Sequence, residues 1–588
     1  MSSFGGVETG SRSTLEDDRA QPAANGGVVA SPAGEVREAS GQDPTAPRLE
    51  LTTALPSTSS RSIETAVAWT VGALGALLVV LVSRGRMAAS PDSVTYVSAA
   101  ESLLNGAGFA TWLEDPLATF PPLWSLAMAS VGLAGVGVET AALLLMTAAT
   151  VAVPRLTLAV LRRTTTDTPA RMISVVAVGL TPVLVPWAYQ ALSELPFTAV
   201  TLGAIALALR GDIANGSTAL GPVPLDAEGR PEPTRSTNRW LWAAVALGST
   251  APLIRYAGIA VPFALSVWIL LDRRRSARVR LGAIALIAGF IPFAIQMVIN
   301  IVGSNAAFGE RLPSSLDPVQ TLQQGTTALG RTVLWTLDST PAAIGLVLGV
   351  GLICMTTWIS LRPGRSEPRG GRQARLLLGI VAATQLAVAV AARARAEIND
   401  LDGRLLAPTA VLVLMLAVSL LGDLRASETP WVGRAALGAG VLWCVIGVTA
   451  LGRSSATALE GVGYTSDAFV RARALPELAE IPPECQVLSV RDLAGDLGAD
   501  SCGVLANEPW LWYRSDIRPL ITPRHGAREV EDLARVDDAL DAGAELWIVW
   551  TTVNEPYGYL LDLDELRERF ELDLEGSDAG VQLYRVTG

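Results

Sequence analysis

Residues 90–124 read SPDSVTYVSAAESLLNGAGFATWLEDPLATFPPLW, a polar and acidic loop between two long apolar segments. The loop opens on Ser90, Pro91 and Asp92, a pattern typical of a helix N-terminus, and its apolar spacing predicts an amphipathic helix that stops at Asn105. Loops of this length between membrane-length segments usually carry function. The sequence therefore predicts that an acid, Asp92, is held at a membrane surface.

The composition is that of a membrane protein. Of the 588 residues, 50% are hydrophobic and 17% are charged, and apolar runs of membrane length recur from Ile63 to Leu451. We predict an α-helical polytopic membrane protein with about 11–13 transmembrane helices. The segment at 120–137, which begins near two prolines, is the one that we expect to fall short of a full crossing.

The distribution of arginine predicts the orientation, because short loops rich in positive charge stay in the cytoplasm. Arg-rich loops follow several of the apolar segments, at residues 162–171, 230–239, 273–280, 362–375 and 425–434. We expect the other loops to lie outside, around Asp92, Glu194, Arg255, Glu310 and Asp402, together with everything after Arg453. All 45 basic residues are arginine, which codon bias in a high-GC bacterial genome would explain.

Composition divides the chain into three regions. Residues 1–62 are polar and rich in Ser, Ala, Gly and acids, and are expected to form a disordered cytoplasmic tail. Residues 63–452 form the predicted transmembrane domain, with a first outer loop at 84–119. Residues 453–588 are less hydrophobic and predict a small extracytoplasmic α/β domain, named the cap domain below.

Short apolar runs in the cap domain alternate with helical patterns. Candidate strands are 487–490, 503–506, 546–551 and a terminal hairpin of 570–574 with 581–586. Candidate helices are 467–480, 529–542 and 563–569. An aromatic cluster follows the second strand, at Asn507, Glu508, Pro509, Trp510, Trp512 and Tyr513, and the favoured interpretation is a packed core edge.

The residue inventory excludes several kinds of chemistry. The single histidine, His525, removes most zinc and Ser-His chemistry, and no phosphate-binding or dinucleotide fingerprint follows a predicted strand. The net charge of −11 argues against a nucleic-acid partner. We expect neither a metal nor a cofactor.

The four cysteines fall into two pairs by location. Cys354 and Cys444 lie inside apolar segments, whereas Cys485 and Cys502 lie in the cap domain. If the cap domain is extracytoplasmic, Cys485 and Cys502 could form a disulfide, although the sequence alone fixes no connectivity.

Four charged residues are candidates for chemistry, and each has two interpretations. Asp92 could act as a general base on an acceptor hydroxyl, or could only stabilise the helix dipole. Glu194 and Arg255 could form a buried ion pair, or Arg255 could bind a phosphate with two hydrogen bonds. Arg404 invites the same phosphate interpretation, and snorkelling to the membrane interface is its alternative.

Seven short motifs occur in one order between Asp92 and Ser466: Asp-Ser-x-x-Tyr (92–96), Leu-Leu-x-Gly-x-Gly (103–108), Phe-Pro-Pro-Leu-Trp (120–124), Ser-Glu-Leu-Pro-Phe (193–197), Arg-Tyr-Ala-Gly (255–258), Asp-x-Arg-Leu-Leu-Ala-Pro (402–408) and Gly-Tyr-Thr-Ser (463–466). Together they resemble the GT-C superfamily of integral-membrane glycosyltransferases. The similar branch contains protein O-mannosyltransferases and the aminoarabinose transferases of lipid A.

The resemblance implies transfer of a sugar from a polyprenyl-phosphate carrier to an acceptor hydroxyl on the outer face of the cell membrane. It makes Asp92 the general base and Glu194 a second catalytic acid. It implies substrate-binding roles for Tyr96, Arg255, Tyr256 and Arg404, with the arginines meeting the lipid phosphate. The implied partners are a polyprenyl-phosphate-linked sugar and a glycan, lipid or protein acceptor.

The chain departs from these families at two positions. Several relatives carry an acidic pair at the first motif, whereas Ser93 follows Asp92 here, so a metal is not expected. Phe120 stands where the aminoarabinose transferases place a lysine before the proline pair, so phosphate binding would fall to arginine. Alternative functions are a secondary transporter or lipid flippase of the cell envelope, or a noncatalytic cell-envelope assembly protein.

Overall fold

A computed structural model describes residues 58–588 apart from 85–86, 114, 215–234, 273–276, 310, 312, 336–340, 369, 397, 399, 480, 482–484, 486–501, 513–519, 526–528, 553–559, 579 and 588. The candidate strand at 487–490 and most of the expected tail therefore lie outside the described residues. The first helix begins at Thr58, within the range expected for the tail.

Long helices make up most of the described chain. They are α1 (Thr58–Ser83), α2 (Pro91–Leu104), α3 (Leu123–Gly132), α4 (Val138–Thr164), α5 (Thr168–Gly179), α6 (Glu194–Ala214), α7 (Arg235–Ile254), α8 (Ala260–Leu271), α9 (Arg278–Ser304), α10 (Pro318–Leu334), α11 (Ala342–Leu361), α12 (Gly371–Arg395), α13 (Gly403–Arg425), α14 (Pro430–Leu459), α15 (Asp467–Ala472), α16 (Glu529–Asp541) and α17 (Leu563–Arg569). Short 3-10 helices lie at Val185–Tyr189, Tyr256–Ile259 and Pro476–Ala479.

In the described part of the chain, eight helices are long and apolar enough to cross a membrane: α1, α4, α6, α9, α11, α12, α13 and α14. The chain is thus a multi-pass membrane protein, while a total of about 11–13 crossings stays a prediction. Helix α3 has 10 residues, or about 15 Å of helix against a hydrocarbon core of about 30 Å. This length agrees with the expectation that segment 120–137 falls short of a full crossing.

Helix α13 is the centre of the helical domain. Of the 18-residue apolar stretch of α13, 83% is buried inside the protein, against 17% for α14 and 22% for α9. Helices α5, α10, α11, α12 and α14 pack around it, which suits a segment that is apolar on every side. The first residues of α13 are consequently held in one place at the end of the bundle.

A network of ion pairs joins several helices at one end of the bundle. Glu64 near the start of α1 accepts hydrogen bonds from Arg162, at 2.9 Å, and from Arg171. Arg375 near the start of α12 pairs with Asp423 near the end of α13 at 2.7 Å. All three arginines belong to loops expected in the cytoplasm, so these loops share one face of the protein.

The cap domain contains one mixed sheet with strand order β2-β1-β3-β5-β4. The strands are β1 (Cys502–Ala506), β2 (Leu520–Ile521), β3 (Glu545–Thr551), β4 (Leu572–Asp578) and β5 (Val581–Val586). Strand β1 is parallel to β2 and β3, whereas β5 is antiparallel to β3 and β4. Both faces are covered, because alternate residues of β3 belong to two different apolar clusters.

Most predicted cap elements are confirmed. Strands β1 and β3, the hairpin of β4 and β5, and helices α16 and α17 lie where the patterns place them, with β4 extending further towards the turn than expected. The predicted helix at 467–480 is wrong in its second half, because α15 ends at Ala472 and a 3-10 helix starts at Pro476. Cys485 and Cys502 form a disulfide.

The aromatic cluster after β1 is a packed core edge as far as Trp512, as favoured from the sequence, and Tyr513 lies outside the described residues. Trp510 is fully buried, and Asn507 exchanges two hydrogen bonds with the backbone of Thr551, at 2.8 and 2.9 Å. The amide of Asn507 thereby closes the end of the β1–β3 pair.

Candidate functional site

Four of the predicted site residues meet in one chain of alternating charges. Arg255 Nη1 lies 2.5 Å from Glu194 Oε1, and the same oxygen lies 3.7 Å from Arg404 Nε. Arg404 Nη1 donates to Asp92 Oδ2 at 2.8 Å. Since two arginines face two carboxylates, the cluster is close to neutral overall.

Asp92 is placed by the start of α2. Ser90 caps the helix, accepting a hydrogen bond from Ser93 N at 3.3 Å, and Pro91 occupies the first helical position. The helix ends before Asn105, as predicted. The Asp92 side chain is 27% exposed, which makes it the most accessible of the four charged groups.

Glu194 starts helix α6, where a carboxylate is favoured by the unpaired N–H groups and the dipole of a helix N-terminus. The residue is only 2% exposed. Its Oε1 forms ion pairs with both arginines. Its Oε2 is buried and has no hydrogen-bond partner among the described residues. Glu194 is therefore enclosed beside the two cations and has little contact with solvent.

Arg255 lies at a break between two helices. Pro252 stands near the end of α7, and the extended backbone of Arg255 leads into a 3-10 turn before α8. Gly258 closes this turn, with its N–H donating to Arg255 O at 2.7 Å. Helices α7 and α8 are thus separate, and the break between them directs Arg255 to Glu194.

Arg404 is the second residue of the central helix α13. Asp402 caps this helix, accepting from Leu405 N at 2.8 Å. The Arg404 side chain is 11% exposed and is paired with Asp92. Snorkelling to the interface is therefore not its conformation.

The two predicted tyrosines occupy different surroundings. Tyr96 is buried on α2, and its hydroxyl lies 3.1 Å from Ser193 Oγ, next to Glu194. Burial raises the pKa of Tyr96 well above its ordinary value, so that the phenol stays neutral at physiological pH. Tyr256 donates to Ala118 O at 2.7 Å and accepts from Asn300 at 2.8 Å. These bonds tie the Tyr256 hydroxyl to the first outer loop.

Sequence reasoning missed Ser193 as a partner of Tyr96 and missed Asn300. Asn300 lies on α9, donates to Ala307 O at 2.7 Å, and accepts from Gln296 at 2.7 Å. It therefore joins the α9–α10 loop to Tyr256. The sequence does contain a signal for Asn300, because two amide side chains one helical turn apart, Gln296 and Asn300, are unusual in an otherwise apolar membrane helix.

Among the described residues, no group of three or more His, Cys, Asp or Glu side chains could hold a metal ion. The assembled groups are instead a partly exposed carboxylate, the buried guanidinium group of Arg404 and the mostly buried guanidinium group of Arg255. Such a set can accept a proton from a hydroxyl and stabilise an anion at the same place.

No protein-family model matches the chain, and no curated protein matches it in sequence. Solved structures do match its fold. ArnT from Cupriavidus metallidurans bound to undecaprenyl phosphate aligns with a TM-score of 0.50 and 14% identity over 90% of this chain and 98% of that chain. The apo state of the same ArnT gives a TM-score of 0.51, again at 14% identity over 90% and 98% of the two chains.

The apo form of the Archaeoglobus fulgidus oligosaccharyltransferase aligns with a TM-score of 0.52 and 10% identity over 88% of this chain and 74% of that chain. At such low identity the similarity establishes the fold. The chain therefore has the fold of ArnT and of this oligosaccharyltransferase, which is the fold that the resemblance of its motifs implied.

Proposed function

We propose that this protein transfers a sugar from a polyprenyl-phosphate carrier to an acceptor hydroxyl at the outer face of the membrane. The observation that carries the proposal is the chain of charges from Asp92 through Arg404 and Glu194 to Arg255. It lies in a fold shared with an ArnT that was solved bound to undecaprenyl phosphate. The sugar and the acceptor are left open.

The proposed reaction is a direct displacement at the anomeric carbon. The acceptor oxygen forms a bond to this carbon as the bond from the carbon to the phosphate oxygen breaks, so configuration inverts. The electron pair of the broken bond stays on the polyprenyl phosphate, which gains a second negative charge. Arg255 and Arg404 would stabilise that charge through charge-assisted hydrogen bonds.

Asp92 would take the proton of the acceptor hydroxyl. Its Oδ2 accepts from Arg404, while Oδ1 accepts no hydrogen bond from the residues that the structure describes. The partial exposure of this side chain leaves Oδ1 as the oxygen that an acceptor could approach. After transfer, the proton would leave Asp92 for the outer solution.

Glu194 is better suited to position the arginines than to act as a base. One of its oxygens lies close to both guanidinium groups, and the side chain is almost fully buried. A carboxylate in this place separates two cations that would otherwise repel each other. We therefore assign Asp92 as the base and Glu194 as a residue that acts through Arg255 and Arg404.

The test is an assay of the purified protein with a series of polyprenyl-phosphate sugars. Asp92→Asn should keep the fold but lower kcat by roughly 100- to 10,000-fold, because the carboxylate is lost as a general base. Glu194→Gln should mainly raise the KM for the donor. Asp115→Asn is the matched control, since it removes an acid from the same outer loop.

Near-normal transfer by Asp92→Asn would exclude Asp92 as the base. Movement of the lipid across the membrane without any sugar transfer by the wild-type protein would instead support a flippase and overturn the proposed function.

A further inference from the structure

The cap domain is joined to the candidate site by three short backbone segments that lie side by side. Ala88 forms a parallel bridge with Gln190, and Ala89 forms one with Gly463. Ala88 N donates to Tyr189 O at 3.0 Å, and Tyr464 N donates to Ala89 O at 2.9 Å. We name residues 88–89, 189–190 and 463–464 the outer ribbon.

The outer ribbon comes directly before both acids of the site. Its middle segment leads through Ser90 into the first turn of α2, which carries Asp92. The segment at 189–190 leads into Glu194 at the start of α6. The third segment, 463–464, is the beginning of the Gly-Tyr-Thr-Ser motif, for which the proposed reaction has no use.

Helix α2 is also packed between the two domains. Val94 is fully buried in the same apolar cluster as Tyr464 and Trp510 of the cap domain. Val97, one turn further along, belongs to the core of the helical domain. The position of α2 therefore depends on the cap domain as well as on the membrane helices.

There is no room for a side chain where Gly463 contacts Ala89 within the outer ribbon. A Cβ at this residue would lie 2.0 Å from Ala89 O, and the backbone has a φ of +56°. Any side chain there would push against the peptide that precedes Ser90. A second contact links the same region, because Tyr189 and Ser455 at the outer end of α14 have their hydroxyl oxygens 2.6 Å apart.

We infer that Gly463 and Tyr464 are positioning residues, which hold Asp92 in place by fixing the peptide at Ala89. This inference rests on the proposed function for its catalytic consequence, but the mechanical link can be measured without it. A general base works only within hydrogen-bond reach of its proton. A displaced α2 should therefore reduce the rate of the chemical step more than it weakens donor binding, which depends on arginines of α13 and the α7–α8 break.

The first experiment compares Gly463→Ala with Gly461→Ala in the full-length protein. Gly461 also has a positive φ, of +124°, but the three atoms nearest to a Cβ there belong to Thr465 and Ser466 of its own turn. Gly463→Ala should lower kcat by roughly 100-fold with little change in the donor KM. It should also speed amide hydrogen exchange in residues 88–104. Gly461→Ala should keep most of the wild-type kcat and the wild-type exchange in this segment.

A second pair keeps the inference testable if either glycine variant fails to fold. Val94→Ala and Val504→Ala remove the same atoms from equally buried sites of one cluster, but only Val94 lies on α2. Val94→Ala should lower kcat and speed exchange in α2, whereas Val504→Ala should do neither. Equal kcat and equal α2 exchange within both pairs would overturn the inference.

The results would differ if the proposed function, and not the positioning role, were wrong. If the wild-type protein transferred no sugar from any polyprenyl phosphate, the exchange measurements would still decide whether the cap domain positions α2. Faster exchange in Gly463→Ala and Val94→Ala alone would keep the mechanical link and remove only the assigned reaction.

Discussion

Arg404 and Asp92 are 312 positions apart in sequence, yet their side chains are joined at 2.8 Å. Removing charged groups from water is costly, and the cost is reduced when each charge has a partner of opposite sign. Arg255, Glu194 and Arg404 satisfy this condition as a set rather than as separate pairs. A phosphate that enters between them would therefore add negative charge beside two cations that are already desolvated.

The two arginines give the first residue-level prediction. Arg404→Ala should lower kcat/KM for the lipid donor by roughly 10- to 100-fold, since hydrogen bonds to charged groups contribute about 1.5–3 kcal/mol. Arg255→Ala should have a similar effect through the donor KM. The measurement is steady-state transfer at varied donor concentration, together with equilibrium binding of the polyprenyl phosphate.

Arg453→Ala is the control, because it removes the same charge from an exposed residue near the outer end of α14. A donor affinity in Arg255→Ala and Arg404→Ala equal to that of the control would contradict phosphate binding by these residues.

Local sequence patterns were sufficient to predict some helices and not others. The pattern from Ser90 to Asn105 predicted α2 with its cap and its end, because capping is a local interaction. Helix α10 was not predicted, since the face that it buries consists of threonine and glycine with few apolar side chains. Small side chains allow close packing of helices in a membrane, but they do not form the long apolar run by which the other membrane helices were recognised.

The cap disulfide gives a prediction for one element. Cys485 and Cys502 are separated by 17 positions, and closing a loop of that size should stabilise the folded state by about 3 kcal/mol. Replacing both cysteines by serine should lower the melting temperature of the cap domain. Calorimetry with and without reductant measures the effect.

In the wild-type protein, mass mapping without reductant should recover the Cys485–Cys502 link. Two free thiols, or an unchanged melting temperature after substitution, would remove the stabilising role of the disulfide.

The ion pairs at the other end of the bundle give a second prediction for elements. Glu64 joins α1 to α4 and α5 through Arg162 and Arg171, and its side chain is 1% exposed. Glu64→Ala should destabilise the protein by about 3–5 kcal/mol, because a buried arginine would lose its partner. Donor KM should not change, since the site lies at the opposite end.

Thermal unfolding in detergent tests this, with Glu460→Ala as the control at an exposed acid. Equal melting temperatures for the two variants would mean that the Glu64 network contributes little to stability.

At the scale of the whole molecule, the charges divide between two faces. Helix α13 carries Arg404 near its start and Asp423 near its end, and its 23 residues extend about 34 Å. The site and the cap domain share the first face. Four arginines of the loops expected in the cytoplasm share the other, namely Arg162, Arg171, Arg375 and Arg425. From the arginine distribution we predict that the cap domain and Asp92 lie outside.

Cysteine labelling should test this orientation. In a protein whose Cys354 and Cys444 are replaced by alanine, a single cysteine at 92, 402 or 542 should react with an impermeant reagent from outside the cell. A cysteine at 278, at the start of α9, should react only after permeabilisation. Labelling of position 542 from the cytoplasmic side would contradict both the orientation and the proposed reaction.

The sequence by itself determined the properties that depend on composition and neighbouring residues. These are the membrane class, most helices, four of the five described strands of the cap domain, and the charged and aromatic residues that stand at the ends of helices. Each is encoded by a period, a capping pattern or a motif within a few residues, so no distant contact is needed to recognise it.

Only the tertiary structure decided which charges meet. Arg404 reaches Asp92 because α13 is central and the start of α2 lies next to the start of α13. Glu194 lies beside both arginines because α6 begins next to them. The same folding brings Gly463 against Ala89 and so ties the cap domain to α2. Such contacts depend on how helices pack across hundreds of residues, and the apolar faces that drive the packing do not specify their own partners.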